Sequence, residues 1–333
     1  MQINPSATST NVALRPSSSA RANSLPEVNQ DRLVDSFLKL TQIPGETYHE
    51  KPVADAIKSQ LAELGLSATE DDAGKKIGGN QGNLLVNIPG NVPGAPTLLF
   101  ASHMDTVPLA VGCKPIREGD VIKTDGSTAL GGDCRAGCSE LLEATRELVE
   151  NKLPHGPIQL VFSVGEEGGL LGSSAFDPKQ VKADYAYALD GFSPDQIFTQ
   201  SGHLLAVPGL HPSADSVQKA HEALGKNPVP NPPHVHLTPK EQQIFNFTTT
   251  AIGDLGMTPR YQNIEWAASD ANAFREHGIN AITLGAGENN EHTGEEFVRI
   301  SDMVKSTQLV RQLIANAAAD PPASPESQPA LRT

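Results

Sequence analysis

Five short apolar runs limit most sharply what this chain can fold into: Asn83–Ile88, Thr97–Ala101, Ile158–Val164, Tyr185–Leu189 and Ala281–Leu284. Each is bounded by Gly, Pro or polar residues, so each reads as a strand of a sheet covered on both faces. Between them the apolar spacing changes to the helical period. Leu33, Phe37 and Leu40 share one helical face, and Pro52 opens a second helix whose stripe of Val53, Ile57, Leu61 and Leu64 stops at Gly65. Further helices are predicted at about Ala136–Lys152, Lys240–Leu255, Asn272–His277 and Ser301–Ala319, the last with Ser301 as its N-cap. Alternation of the two periods is the signature of an α/β layer architecture.

Composition narrows the partners. A chain of 333 residues with 38% hydrophobic content can furnish a core for one large domain or two modest ones. Its formal net charge of −14, with no basic block, argues against nucleic acid or an anionic membrane surface as the main partner. Cys113, Cys134 and Cys138 match neither a disulfide framework nor a paired-cysteine metal knuckle, which suggests a reducing compartment. The N-terminal stretch lacks the apolar core of a signal peptide and no run approaches a bilayer-spanning length, so a soluble, cytoplasmic protein is expected. Ser, Ala, Asn and Pro dominate residues 1–26, and residues 319–333 are similar; both are expected to be disordered tails. Residues 27–203 and 240–318 form the ordered parts, joined by an irregular Pro- and His-rich linker at 204–239 with one short helix at Ser213–Leu224.

In open α/β sheets ligands bind beyond the carboxyl ends of the strands, so the residues that follow each apolar run matter most. Thr97–Ala101 runs into Ser-His103-Met-Asp105, Ile158–Val164 into Gly-Glu166-Glu167, Tyr185–Leu189 into Asp190, and Ala281–Leu284 through GAGENNE to His292. A Gly-rich turn adds Asp133 just before a predicted helix. Each feature alone has an ordinary explanation: a surface His-Asp pair, a solvated Glu-Glu helix start, a turn aspartate, a loop histidine. Their joint occurrence at five termini on one edge, where Lys and Arg are scarce, does not. So many converging acids would repel one another severely unless a metal supplied positive charge.

Two ions that share one carboxylate and leave positions open to water require two histidines and three acids. The chain offers that set: His103 and Asp190 for one ion, Glu167 and His292 for the other, and Asp133 as the bridge. Asp105 is then the carboxylate that fixes the tautomer of His103. Glu166, left free beside its ligating neighbour, is placed to act as general base. A metal-bound hydroxide, a polarised carbonyl and a carboxylate proton shuttle together describe hydrolysis of an amide bond.

The blocks "ASHMDTVP", "TDGSTALGGDCRAG", "FSVGEEGGLLGS", "ALDG", "SDANAF" and "GAGENNEHTGEEF" occur in that order over roughly residues 95–300. Together they resemble the co-catalytic zinc exopeptidases that include peptidase T and its aminopeptidase relatives. The resemblance implies an α/β fold with a mixed, mostly parallel central sheet flanked by helices on both faces, in a single catalytic domain. It implies two zinc ions, or cobalt or manganese in some members, and cleavage of short peptides at the N-terminal residue. The implied ligands fall on His103, Asp133, Glu167, Asp190 and His292, the general base on Glu166 and the His-orienting acid on Asp105.

Two departures stand out. Where the family usually carries a second acid after the bridging aspartate, this chain has Cys134, which either packs behind the bridge or serves as a soft ligand or redox-sensitive group. Relatives with the full architecture insert a second domain after the strand following "ALDG", whereas only the segment 204–239 stands there in this chain. The dimer made by that lid is therefore expected to be absent, leaving a monomer with a more open pocket and slower turnover. His203, His211, His221, His234 and His236 in this region are read as surface histidines, with His203 the first candidate to replace a lid residue. Asp270 and Asn272 are expected to cap a helix, the resemblance placing them at the site rim. Arg135 is read as a salt-bridge partner, and Glu295 and Glu296 as the first turn of a solvated element. Other readings are a deacylase or carboxypeptidase acting on N-acyl amino acids with the same metals, or a metal-binding scaffold that has lost catalysis with its lid.

Overall fold

The computed structural model describes residues 25–200, 239–264 and 268–319. The expected helix at Ser213–Leu224 and the histidines at 203, 211, 221, 234 and 236 lie outside the described residues. In chain order the first half runs α1 (Gln30–Thr41), α2 (Lys51–Glu63), β1 (Ala68–Glu70), α3 (Ala73–Ile77), β2 (Leu84–Ile88), β3 (Leu98–His103), β4 (Ile116–Glu118), β5 (Val121–Lys123) and α4 (Gly132–Glu150). There follow β6 (Ile158–Ser163), α5 (Leu171–Ala175), β7 (Tyr185–Leu189), β8 (Gln196–Gln200), α6 (Pro239–Asp254) and β9 (Arg260–Ile264). The chain closes with α7 (Asp270–Glu276), β10 (Ala281–Leu284), β11 (Glu288–Asn289), β12 (Phe297–Arg299) and α8 (Ile300–Ala319).

All five apolar runs are strands of one eight-stranded sheet, in the order β1, β2, β6, β3, β7, β10, β8, β9. The central strands β6, β3, β7 and β10 run parallel to one another, while β1 and β2 on one side and β8 on the other join antiparallel. Alternate side chains of β3 feed opposite faces. Leu98 and Phe100 pack with α1, α2, α4, α6 and α8, whereas Leu99 and Ala101 pack with Phe176, Val181 and Phe274. Helices therefore cover both faces, and the strands are apolar throughout because neither face meets water. Phe100 and Phe162 are completely buried, each contributing about 1.5–3 kcal/mol relative to exposure. The heptad-like spacing in α1 does the same work from the helix side, with Leu33, Phe37 and Leu40 all inaccessible.

The parallel strands end level. His103 is opposite Ser163, Ala101 opposite Ala188, and Leu284 opposite Leu189. Whatever follows each strand is thereby delivered to one edge. A second, four-stranded antiparallel sheet of β11, β12, β5 and β4 stands beside this edge. Its strands have two or three residues each, too few to show a period in sequence. The loop from β11 to β12 carries His292. At α8 the expected Ser301 cap is replaced: the helix starts at Ile300, and Ser301 donates from its backbone N and Oγ to the Asp120 carboxylate at 2.9 and 2.7 Å. No described helix is long and apolar enough to cross a membrane.

Candidate metal centre

β3 delivers His103 to the strand edge, with Met104 turned into the core and Asp105 returned beside the imidazole. His103 Nδ1 lies 3.0 Å from the Asp105 carbonyl oxygen and 3.5 Å from its Oδ1. A carbonyl can only accept, so Nδ1 carries a proton, and Nε2 is the nitrogen turned toward the acidic cluster. Nε2 faces Asp133 Oδ1 at 2.9 Å, with Glu166 Oε2 and Asp190 Oδ1 each 4.0 Å away. On the other side, His292 Nε2 lies 3.0 Å from Asp133 Oδ2 and 2.8 Å from Glu167 Oε2. Asp133 thus divides its two oxygens between two imidazoles.

The turn after β6 sets the adjacent glutamates apart. Gly165, at φ +65°, lets the chain reverse where other residues rarely can. Its N–H donates to Glu50 Oε1 at 3.0 Å, and the next two N–H groups, of Glu166 and Glu167, donate to Asp105 Oδ1 and Oδ2 at 3.0 and 3.2 Å. Thr47 Oγ1 also donates to Asp105, at 2.8 Å. The Asp105 carboxylate therefore spans His103 and the double-glutamate turn, holding the Glu166 and Glu167 backbone while their side chains reach the cluster. Glu50 supports the same turn from complete burial; desolvation, then the nearby Asp105, pushes its pKa up to about 7.

Asp133 itself is held by Glu296, contrary to the expectation of a solvated residue. Glu296 is 1% exposed and accepts hydrogen bonds from the N–H groups of Leu130, Gly131 and Asp133 at 2.7, 2.8 and 3.0 Å. A Cβ at Gly132 would sit 2.8 Å from Val298 Cγ1, so the Gly-rich turn is what allows this close approach. Sequence pattern missed Glu296 because its partners are more than 160 residues away; the backbone donors of the "LGGD" turn, which need an acceptor once buried, were the available signal.

Arg135 is also corrected. Its buried guanidinium donates to the carbonyls of Leu40 and Gly45 at 2.7 and 3.2 Å, with no salt bridge among the described residues. The peptide between Asp133 and Cys134 is cis. Cys134 Sγ accepts from Ser102 Oγ at 3.1 Å and donates to the Leu189 carbonyl at 2.7 Å. Ser269 and Asn272 form a capping box at the start of α7, whereas Asp270 turns inward and accepts from Ser163 Oγ.

The electrostatics call for positive charge. Burial, and then the Asp190 charge, pushes Glu166 well above the usual carboxylate range. Burial likewise pushes Asp190 up against the opposing pull of His103, and Glu167 up against that of His292. Burial would also raise Asp133, but hydrogen bonds from His103 and His292 bring it below its ordinary value. Both imidazoles, which burial alone would deprotonate, are pulled the other way by carboxylates: His103 by Asp105 and Asp133, His292 by Glu167 and Asp133. Among the described residues no Lys or Arg forms an ion pair with the cluster. Two donor groups close to within 4.8 Å: His103, Asp133, Cys134 and Asp190, and Asp133, Glu167 and His292. Imidazole and carboxylate donors of this kind suit zinc and similar divalent ions, and Asp133 belongs to both groups.

Fold and donor cluster together define an α/β protein with a candidate metal centre at the carboxyl edge of its parallel strands. Residues 99–316 match the family model for Peptidase family M20/M25/M40. The chain is 31% identical to the uncharacterized protein YqjE of Bacillus subtilis over 372 residues, taking in 87% of this chain and 100% of that protein. It is 30% identical to Peptidase T of Escherichia coli K12 over 206 residues, 48% of each, so it matches about half the length of that relative. Aminopeptidase PepT of Bacillus cereus superposes with a TM-score of 0.72 at 26% identity, covering 87% of this chain and 99% of that one. A Staphylococcus aureus tripeptidase shares the fold, with a TM-score of 0.71 at 23% identity over 88% of this chain and 100% of its own. The chain belongs to Peptidase family M20/M25/M40, and its class is that of enzymes that hydrolyse peptide bonds.

Proposed function

We propose that this protein is a di-zinc aminopeptidase that releases the N-terminal residue of short peptides. The observation that carries this reading is the division of Asp133 between His103 and His292, at 2.9 and 3.0 Å. His103 and Asp190 would hold one ion and Glu167 and His292 the other, with Asp133 as the carboxylate shared between them; cobalt or manganese would suit the same donors. When bound, such ions supply Lewis acidity toward the scissile carbonyl and make water more acidic. Glu166 takes the proton from the attacking water and returns it to the leaving amine. Asp105 keeps the base and ligand backbones in register with His103.

The similarity to PepT and Peptidase T supports an N-terminal cleavage site. The alignment with YqjE runs to 372 residues, more than the 333 of this chain, which supports an internal segment lacking here, the lid. The protein then acts as a monomer with an open pocket. All three cysteines are free, which supports a reducing, cytoplasmic setting.

Glu166→Gln tests the reading. The variant is expected to keep its zinc while kcat on free-amine dipeptides and tripeptides falls by about 10²–10⁴-fold. Equal rates for variant and parent exclude Glu166 as the base. Turnover confined to N-acylated amino acids excludes the aminopeptidase.

A further inference from the structure

Asp133 and His292 come from parts of the chain that the main sheet does not join. Asp133 opens α4 after the Gly-rich turn, whereas His292 lies in the loop of the small second sheet between β11 and β12. Their 3.0 Å approach depends on how that loop is seated against the turn. Glu296 stands at the end of the same loop, four residues beyond His292, and ties it to the turn by directional bonds: its Oε2 takes the N–H groups of Leu130 and Gly131, and its Oε1 takes that of Asp133. Beside it lies an apolar contact, with Val298 Cγ1 of β12 2.8 Å from where a Cβ at Gly132 would sit; it sets no direction.

We propose that Glu296 is a positioning residue of the metal centre, fixing Asp133 so that one oxygen faces His103 and the other His292. This rests on the reading of Asp133 as the bridging ligand. One carboxylate accepting three backbone donors within four residues leaves the turn a single orientation, because each N–H is directional and the carboxylate is buried from water. The charge on Glu296 matters as well as its shape: three donors converge on two oxygens, and an amide would turn one donor group toward another. Glu296 bonds to neither imidazole, so its influence runs through Asp133 and through the seating of the loop that carries His292.

The test compares the parent with Glu296→Gln, which keeps the side-chain shape, Glu296→Asp, which is one methylene short, and Asp133→Asn. Zinc affinity is measured by chelator competition, the ligand field by the visible spectrum of the cobalt-loaded protein, and turnover on a free-amine dipeptide at saturating zinc. Both Glu296 variants are expected to hold the weaker ion about 10–100-fold less tightly, to shift the cobalt spectrum, and to lower kcat with KM unchanged. A merely structural role would lower the unfolding temperature of the metal-free protein and leave affinity and spectrum as in the parent. That outcome, beside an Asp133→Asn variant that does lose metal, overturns the role of Glu296. Parent-like stoichiometry and affinity in Asp133→Asn overturn the bridging assignment, and the role of Glu296 with it.

Discussion

Cys134 shows how little room a residue in this site has. Its sulfur is within ligand range of the first donor group, yet it is already engaged by Ser102 on one side and the Leu189 carbonyl on the other. Burial, and then the charges of Glu288, Asp190 and Asp133, raises its pKa well above that of an ordinary thiol, which opposes the thiolate that metals require. Both contacts favour its packing behind Asp133 over ligation. The cobalt-loaded protein is expected to show no thiolate-to-metal charge-transfer band in the near ultraviolet, and Cys134→Ser to bind zinc as the parent does. A strong band lost in Cys134→Ser would make the sulfur a ligand. At this scale the sequence was most readable where a functional side chain directly follows a buried strand, as with His103, Glu166, Glu167 and Asp190. Glu50 and Glu296 were unreadable because their roles are defined by backbone N–H groups far along the chain.

Among the elements, α4 carries a liability beneath the site. Glu140 lies fully buried on this helix, which packs against α8, and neither carboxylate oxygen has a hydrogen-bond partner. Desolvation, and then the Asp302 charge from α8, raises its pKa well above the ordinary value of 4.5. The folded state therefore binds this proton more tightly than the unfolded chain. Its contribution is complete below pH 4.5 and is lost at about 1.4 kcal/mol per unit as pH rises toward the folded value. Glu140→Leu removes both the charge and the unpaired oxygens. It is expected to gain about 1–3 kcal/mol, with the gain larger at pH 8 than at pH 5, as urea unfolding at the two pH values would show. A variant less stable at both would indicate a partner for the carboxylate. The strands of the main sheet were legible for the reason this glutamate is costly: their surroundings are dry on both sides, so the residues had to be apolar in runs. The second sheet, with Ile116, Arg117 and Glu118 all exposed in β4, offers no such contrast.

For the whole molecule the governing quantity is charge. A net −14, together with a crevice of buried acids that no Lys or Arg pairs with among the described residues, is expected to make the fold sensitive to cations. Zinc is expected to raise the unfolding midpoint by linkage, with each site contributing about 4 kcal/mol at a thousandfold excess over its Kd. A chelator should reverse the gain, most strongly at low ionic strength where repulsion is least screened. A midpoint indifferent to zinc and chelator would count against the centre. The α/β class, the strand edge and the placing of His103, Glu167 and Asp190 on it could be reached from sequence because the parallel topology converts strand ends into neighbours; Asp133 and His292 reach the same edge from outside the main sheet. How the second sheet docks could not, since it is set by pairings between β5 and β12 across more than a hundred residues.

Arg135 joins these scales. Its guanidinium sits two residues past Asp133, under the floor of the cluster, and is tethered to the carbonyls of Leu40 and Gly45. The segment around Gly45 in turn receives the Thr106 N–H and sends Thr47 to Asp105. The first helix and the turn after it are thus a keystone for donors that lie entirely downstream: a chain trimmed to begin beyond residue 50 keeps all five and is expected to bind zinc more weakly, as chelator competition would show.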